Sequence, residues 1–341
     1  MKILVIGGTR NIGHYLVHSL VDAGHTVTVL NRGQTVDELP AEVERLYGNR
    51  TEPHVMEQLL GKRTFDVVVD NALYKGAEAE TIVELFKRRI GHYIFLSTGQ
   101  VYLVREDAER PTREEDYDGR LLPAPKINTF GFEEWQYGMD KRQAEDVLRS
   151  AYAKYQFPMT ALRLPMVNSA RDHFGRLWSY VLRLRDGGPI LTAATPNYPL
   201  RHIYAEDVVK AIEILIQTGK GKGKAYNIAQ DEITPLDDFL EIVGELVGVK
   251  PKIVRAKRAL LDANGFLPGC SPFSERWMSE LDNQLSKTEL GLTYTPLKTY
   301  LNMILEAWAK NPPPVPSGYR RRRAELLLIE QIQENPSLAE L

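Results

Sequence analysis

Cysteine is all but missing from this chain: Cys270 is the one thiol in 341 residues. A lone cysteine excludes an intrachain disulfide and a cysteine-rich metal site, and it fits a reducing cytoplasm. The bland role of a packed thiol suits it best. An excess of charge of one sign is equally lacking. Lysine and arginine number 43 against 45 aspartates and glutamates, a net of −2, so no global field draws the protein to nucleic acid or a membrane surface. No apolar run approaches the roughly 20 residues of a membrane span, and the apolar start is too short for a secretion signal. Internal repeats and low-complexity blocks are absent from the sequence. His202 has no carboxylate or cysteine at ligand spacing, so it reads as structural and no metal is expected. The length suffices for one large α/β domain with a smaller one appended.

What is present is concentrated at the start, in MKILVIGGTRNIG. Ile3-Leu4-Val5-Ile6 has the length and β-branched content of a buried parallel strand. The chain then turns through Gly7, Gly8, Thr9, Arg10, Asn11, Ile12 and Gly13 into a segment with apolar residues at Tyr15, Leu16, Leu20 and Val21, a helical spacing. Strand, glycine turn and helix place backbone N–H groups where they hold a pyrophosphate. Gly7 and Gly8 suit the tight turn, and Gly13 lets the helix lie near the sheet. These seven turn residues are candidate cofactor contacts. The second strand, His25–Leu30, ends in Asn31-Arg32-Gly33. An acidic residue at that place would bond a ribose 2′-hydroxyl. An amide beside a guanidinium accepts a 2′-phosphate instead, and Arg10 can add a second positive contact. NADP(H) is therefore expected over NAD(H).

Glu44–Asn49 resembles a third strand running into a loop where Asn49 would face the adenine, and Phe65–Ala72 is a buried strand. Glu78–Arg88 has helical periodicity and His92–Ser97 is the next strand. This alternation predicts right-handed βαβ units and a doubly wound parallel sheet, a Rossmann fold. Ligands of such sheets sit at the carboxyl ends of the strands, which puts Ser97, Thr98 and the loop after them at the site. The expected division is a dinucleotide domain over 1–165, with 200–230 returning to it, and a smaller mixed substrate domain with a C-terminal tail over 166–341.

Tyr137-Gly138-Met139-Asp140-Lys141 opens a helix in which Tyr137 and Lys141, four residues apart, share a face. A phenol of pKa about 10 is a poor base, but a neighbouring ammonium favours the phenolate. The Thr98 hydroxyl completes a donor set for a substrate oxygen while Tyr137 moves its proton. Glu133, Glu134 and Trp135, just before Tyr137, are placed to wall the pocket or to start the helix.

In this order the three motifs resemble the extended or atypical short-chain dehydrogenase/reductase superfamily, in its epimerase and dehydratase branch, over residues 1–240. The GGTRNIG turn and Asn31-Arg32-Gly33 are similar to the subgroup of chloroplast stem-loop-binding proteins. The resemblance implies Thr98, Tyr137 and Lys141 as the catalytic set. It adds Asn71, Ala72, Ser97, Pro165 and Val167 to the cofactor contacts, and a homodimer through a four-helix bundle using helices near 77–89 and 135–153. Departures narrow the chemistry. The 4,6-dehydratases place Asp-Glu after the threonine, where this chain has Gly99-Gln100, so that elimination is discounted and Gln100 becomes a substrate contact. Nucleotide-sugar epimerases carry an Asn where Met166 stands and Tyr-Gly-Pro where Asn168-Ser169-Ala170 stands. The arginine that grips their phosphates aligns near Leu200, with Arg201 one place away and Arg171 a second candidate.

The expected function is hydride transfer at a secondary alcohol or ketone of a small molecule. A redox-neutral nucleotide-sugar epimerase is the alternative, and a non-catalytic nucleotide- or RNA-binding protein a further one. In the second half, Asp207 reads as a helix cap and Lys224–Ile228 as a late strand. Thr234-Pro235 and Thr295-Pro296 read as an N-cap followed by an N1 proline. Residues 259–289 have little regular pattern, as a lid or pocket wall would. Asn311–Pro316 should run extended. The four arginines at 320–323 head an amphipathic helix that either touches an anionic surface or, the reading preferred here, packs on its own domain or dimer mate.

Overall fold

A computed structural model describes residues 1–194 and 198–338. In chain order its strands and helices are β1 (Lys2–Ile6), α1 (Ile12–Asp22), β2 (Thr26–Asn31), β3 (Glu44–Tyr47), α2 (Pro53–Leu60), β4 (Phe65–Asp70), α3 (Gly76–Phe86), β5 (Ile90–Thr98), α4 (Gln100–Leu103), α5 (Phe130–Tyr155) and β6 (Met159–Leu164). There follow β7 (Met166–Asn168), α6 (Arg176–Arg185), β8 (Ile190–Ala193), β9 (His202–Tyr204), α7 (Ala205–Thr218), β10 (Lys224–Asn227), α8 (Leu236–Val247), β11 (Ile253–Ala256), α9 (Arg258–Ala263), α10 (Gln284–Leu290), α11 (Leu297–Lys310) and α12 (Arg322–Glu334).

Two compact units divide the chain. The first comprises Met1–Val167, Ile203–Ala229 and Leu281–Tyr294. Its seven-stranded sheet runs β10-β6-β5-β4-β1-β2-β3, with every pairing parallel. Parallel strands are buried on both faces, and β1 shows how the sequence meets that demand. Ile3 and Val5 point into one core with Leu16 and Val17 of α1 and Val208 and Ile212 of α7. Leu4 and Ile6 point into the other with Ile82 of α3 and Ala144 and Leu148 of α5. Alternation at period two thus feeds both layers from an unbroken apolar run.

The second unit comprises Asn168–His202, Gln230–Glu280 and Thr295–Leu341. Here β8 pairs in parallel with β11, and Leu191, Ala256, Leu261, Phe266, Cys270, Leu328 and Ile332 share a core. Burial among apolar neighbours pushes the Cys270 thiol up to about 12, which makes it an inert packed group. His202 is fully buried, stacked on Phe239 with centroids 4.8 Å apart, and burial holds it down to about 3, a neutral ring. No cluster of three potential metal ligands exists among the described residues, and no helix among them is long and apolar enough to cross a membrane.

Several sequence-based boundaries move. The helix bearing Tyr137 starts at Phe130, capped by Thr129, whose side chain accepts from the Phe132 N–H at 3.2 Å. Glu133, Glu134 and Trp135 therefore lie inside it. Asp207 stands in the first turn of α7, whose N-cap is Tyr204, and its carboxylate receives Lys210 Nζ at 2.6 Å. Pro235 and Pro296 are themselves the N-caps of α8 and α11, one residue later than the Thr-Pro signature suggests. Residues 281–294, expected in the C-terminal domain, pack on the first unit. The Asp282 N–H donates to Thr112 O, Glu289 receives Lys224 and Tyr226, and Leu290, Leu292 and Tyr294 join the β1 core.

Two of the four arginines that head the tail are engaged inside the second unit, while Arg320 and Arg323 are exposed. Arg183 of α6, with no exposed surface, donates to Glu325 of α12 at 3.0 Å, Arg322 to Asp186 at 2.7 Å, and Arg321 stacks on Phe266. Removing one partner of so deeply buried a pair leaves an uncompensated charge. Glu325→Ala should lower unfolding free energy by about 3–5 kcal/mol, read as a shifted urea midpoint; a change under about 1 kcal/mol, the scale of an exposed pair, would refute this account.

Candidate active site

The glycine turn is shaped by contacts that exclude side chains. A Cβ on Gly13 would meet Gly7 O at 2.6 Å and Gly8 Cα at 2.8 Å, and Gly7 has φ +82°. Asn71, after β4, closes the turn from the other side by donating to Gly7 O at 3.3 Å, so Asn71 holds the cradle itself. The N-terminus of α1 receives no side-chain cap; the Gly13 and His14 N–H groups turn back to Arg10 O and Asn11 O at 3.0 and 3.1 Å, and the positive end of the helix faces the turn where a pyrophosphate would sit.

At the end of β2, Asn31 Oδ1 accepts the Gly33 N–H at 2.7 Å while its Nδ2, buried, has no hydrogen-bond partner among the described residues. A buried donor left over at this strand end, beside a cradle that a Cβ would fill, fits a dinucleotide. Arg32 is exposed, and Arg10 Nε donates to Thr35 at 3.1 Å. Asn49 has a different role from the one expected of it. Its Oδ1 accepts from Thr51 and its Nδ2 donates to Glu52 at 2.8 Å, so its amide is consumed in the turn that opens α2.

The catalytic candidates meet at the carboxyl ends of β4 and β5. Lys141 is buried, and its Nζ donates to Leu73 O at 2.7 Å and Leu96 O at 2.9 Å. The ammonium lies 4.6 Å from the centre of the Tyr74 ring and 5.9 Å from that of Tyr137; the two rings are 6.2 Å apart. Tyr137 is half-buried. Thr98 Oγ1 accepts the Gln100 N–H at 3.2 Å, which fixes the hydroxyl at the strand end. Gln100 is less a substrate contact than a strut: its Nε2 donates to the Glu134 carbonyl at 2.8 Å and carboxylate at 2.7 Å. Trp135 Nε1 donates to Leu122 O at 3.0 Å. Ser97 is buried and donates to Glu145, so its hydroxyl serves the interior. Pro165 and Val167 follow β6 in the same unit, whereas Arg171 and Arg201 belong to the second unit, where Arg201 donates to Asp231 O at 3.1 Å.

Three further residues shape the site without a motif to announce them. A Cβ on Gly138 would meet Val104 Cγ1 at 2.7 Å and Gln100 O at 2.9 Å, so this glycine sets how closely α5 approaches α4. Arg50, almost wholly buried, bridges Asp70 at 2.6 Å and Glu78 at 3.4 Å, and Asp70 also receives Tyr93 OH at 2.7 Å. Glu145, one turn beyond Lys141, is fully buried and receives Arg163 at 2.6 Å. Arg50 and Glu145 are each a single charged residue with nothing local to mark it, and the partner of each lies on another element. Only Gly138, wedged between the two motif residues, carried a visible signal.

The parallel sheet, the glycine cradle and the phenol–ammonium pair define a dinucleotide-binding α/β protein. Residues 3–229 match the NAD dependent epimerase/dehydratase family, and the chain belongs to it, a family of NAD(P)-dependent oxidoreductases, epimerases and dehydratases. It is 35% identical over 270 residues to a chloroplast stem-loop binding protein of 41 kDa from Arabidopsis thaliana, covering 74% of this chain and 65% of that one. It is 24% identical over 252 residues to a 2′-dehydrokanamycin reductase of Streptomyces kanamyceticus, covering 73% and 67%. The chain thus spans about two thirds of the length of these relatives. Among solved structures, a UDP-glucose 4-epimerase of Thermotoga maritima superposes with TM-score 0.73 at 20% identity, over 92% of this chain and all of that one. A dTDP-glucose 4,6-dehydratase of Bacillus anthracis in complex with NAD gives 0.70 at 17%, over 91% and 97%.

Burial lowers the Lys141 ammonium to about 7, against a usual 10.5, with Asp70 opposing the fall and Arg50 adding to it. Between those two values the unfolded chain holds a proton that the folded chain has released, so this group makes stability rise with pH from about 7 to about 10. Below 7 both forms are charged and the cost of burial is felt in full. Lys141→Met should lack that slope, so the urea midpoint of wild type should gain on that of the variant between pH 7 and 10, whichever is higher at pH 7; curves that stay parallel would sink the assignment.

Proposed function

We propose that the protein is an NADP-dependent enzyme acting on a secondary alcohol or ketone of a small molecule. The observation that carries this is the seating of Lys141 between the Leu73 and Leu96 carbonyls, which locks the Tyr137 helix to the strand ends beside the glycine cradle. Bound NADP(H) supplies or accepts the hydride. Tyr137 gives its phenolic proton to the substrate oxygen in reduction and takes it back in oxidation, and the Lys141 ammonium favours the phenolate through space. Thr98 directs a hydroxyl at the same oxygen. With its hydroxyl engaged by Gln100 N–H only as acceptor, Thr98 keeps its proton to donate. Gln100 has no carboxyl group to donate a proton and is tied to Glu134, which supports discounting a 4,6-elimination.

The reductase among the relatives supports net redox chemistry. A redox-neutral epimerisation of a nucleotide sugar is the second reading, supported by the UDP-glucose named with the Thermotoga neighbour. In both readings α3 and α5 are the helices through which a homodimer would form.

Tyr137→Phe removes the transferable proton while keeping the ring. Turnover, followed as NADPH oxidation over a panel of small ketones and as epimerisation of UDP-glucose, should fall at least about a hundredfold with NADPH binding retained. Undiminished turnover would refute the role. For the cofactor, Arg32→Ala should weaken NADPH roughly tenfold and leave NADH nearly unchanged, the loss of one charge-assisted contact. Equal effects on the two dissociation constants would count against a 2′-phosphate contact.

A further inference from the structure

A second recess opens at the amino-terminal end of the strands, opposite the end that carries the glycine cradle, where β5 and β6 begin. It encloses about 390 Å³ and is lined by Lys87, Arg88, Tyr152, Tyr155, Gln156 and Lys222, with Ile90, Gly91, Phe157 and Pro158 at its base. No carboxylate lines it. Lys87, Arg88 and Lys222 have no ion-pair partner among the described residues.

The local sequence explains how three cations come together without counter-charge. Residues 219–224 read Gly-Lys-Gly-Lys-Gly-Lys. The outer two lysines are tied down, Lys220 to Glu289 O at 3.5 Å and Lys224 to the Glu289 carboxylate at 2.7 Å. The middle one, Lys222, faces the recess. A Cβ on Gly223 would lie 2.2 Å from the Tyr152 ring, so the glycines press this loop onto the wall of the recess. Across from it, Lys87 caps α3 and its ammonium sits 3.6 Å from the centre of the Tyr155 ring. Tyr155 as a whole is 51% exposed. Arg88 at φ 63° and Gln156 at φ 56° both hold the left-handed backbone that non-glycine residues rarely adopt. Gln156 is the C-cap of α5 and Arg88 follows the C-cap of α3, so both are the left-handed residues that end their helices.

The ends of α3 and α5 also point here, and cations at helix C-termini commonly do no more than answer the dipole. Two helix ends amount to about one negative charge in all. Three full positive charges exceed that, leaving the recess with a net of about +2. Its size falls in the range of small-ligand sites, and a cationic rim with a flat aromatic wall is the chemistry that receives phosphates and stacks a ring.

We propose that this recess binds a nucleoside phosphate, its phosphates among Lys87, Arg88 and Lys222 and its base against the open side of Tyr155. The site is independent of the Tyr137 centre. Calorimetric titration with ADP tests it, on wild type and on the Lys87→Ala/Lys222→Ala double variant. The two lysine side chains lie at the surface, so the variant should fold with an unchanged melting temperature. Wild type should show a class of ADP sites that the double variant lacks or binds at least about tenfold more weakly. Adenosine should not fill that class, and Tyr155→Ala should weaken it for ADP but not for inorganic pyrophosphate. Superimposable ADP isotherms for wild type and double variant would overturn the proposal, as would adenosine binding as tightly as ADP. Pyrophosphate matching ADP, with Tyr155→Ala silent, would overturn the nucleoside part by reducing the ligand to a bare anion.

Discussion

The structure of the first unit turns on one buried ammonium. Lys141 reaches from α5 to the carbonyls that end β4 and β5, and it does so from a position with almost no exposed surface. Taking a cation out of water is expensive unless every proton finds an acceptor and opposite charge lies close. Two carbonyls take two of its protons, the Tyr74 and Phe95 rings present their faces at 4.6 and 4.8 Å, and Asp70, Glu78 and Glu145 supply the negative field. The helix therefore has one register in which Lys141 is satisfied, and that register also places Tyr137 one turn back and Gly138 against Gln100.

Around that point lie two charge networks, and each grips a different wall of the site. Arg50, Asp70, Tyr93 and Glu78 hold the segment after β4: Asp70 accepts the Ala72 N–H at 2.9 Å and Glu78 the Tyr74 N–H at 3.0 Å. Glu145, Arg163, Ser97 and Tyr102 hold the segment after β5, with Asn227 of β10 drawn in through Tyr102 at 2.8 Å. Breaking either would strand a buried charge. The same arrangement suits a site that must present a phenol and a hydroxyl in fixed geometry, since groups held by rigid neighbours need little reorganisation during reaction.

These networks mark the limit of what the sequence made legible. Elements with a strong period or a local motif could be read directly: the β1 turn, the sheet alternation, and Tyr137 with Lys141 on one helix face. Their signal is contained in a few adjacent residues. Arg50 with Asp70, Arg163 with Glu145, and Arg183 with Glu325 are separated by 20, 18 and 142 positions, and nothing local announces that two charges will be buried together. For the same reason Ser97, Asn49 and Gln100 looked like ligand contacts. Each stands at or just past the end of a strand, but whether a polar side chain turns outward or is consumed by a neighbour depends on a partner that periodicity does not reveal. The segment 281–294 was misplaced for want of any sign that Asp282 and Glu289 would bond to Thr112 and Lys224.

Net charge misleads in a related way. A balance of 43 against 45 says only that the far field is weak. Near the surface what matters is which charges find partners. The four-arginine run at 320–323 is the most conspicuous basic feature of the sequence, yet Arg321 and Arg322 are held by Asn264, Gly265, Asp186 and Glu325. A phosphate would have to outbid those contacts. The glycine-spaced lysines at 220–224 look weaker, but the middle one is left over because Glu289 is shared by its neighbours. Positive potential accordingly collects where carboxylates are lacking, at the recess under β5 and β6.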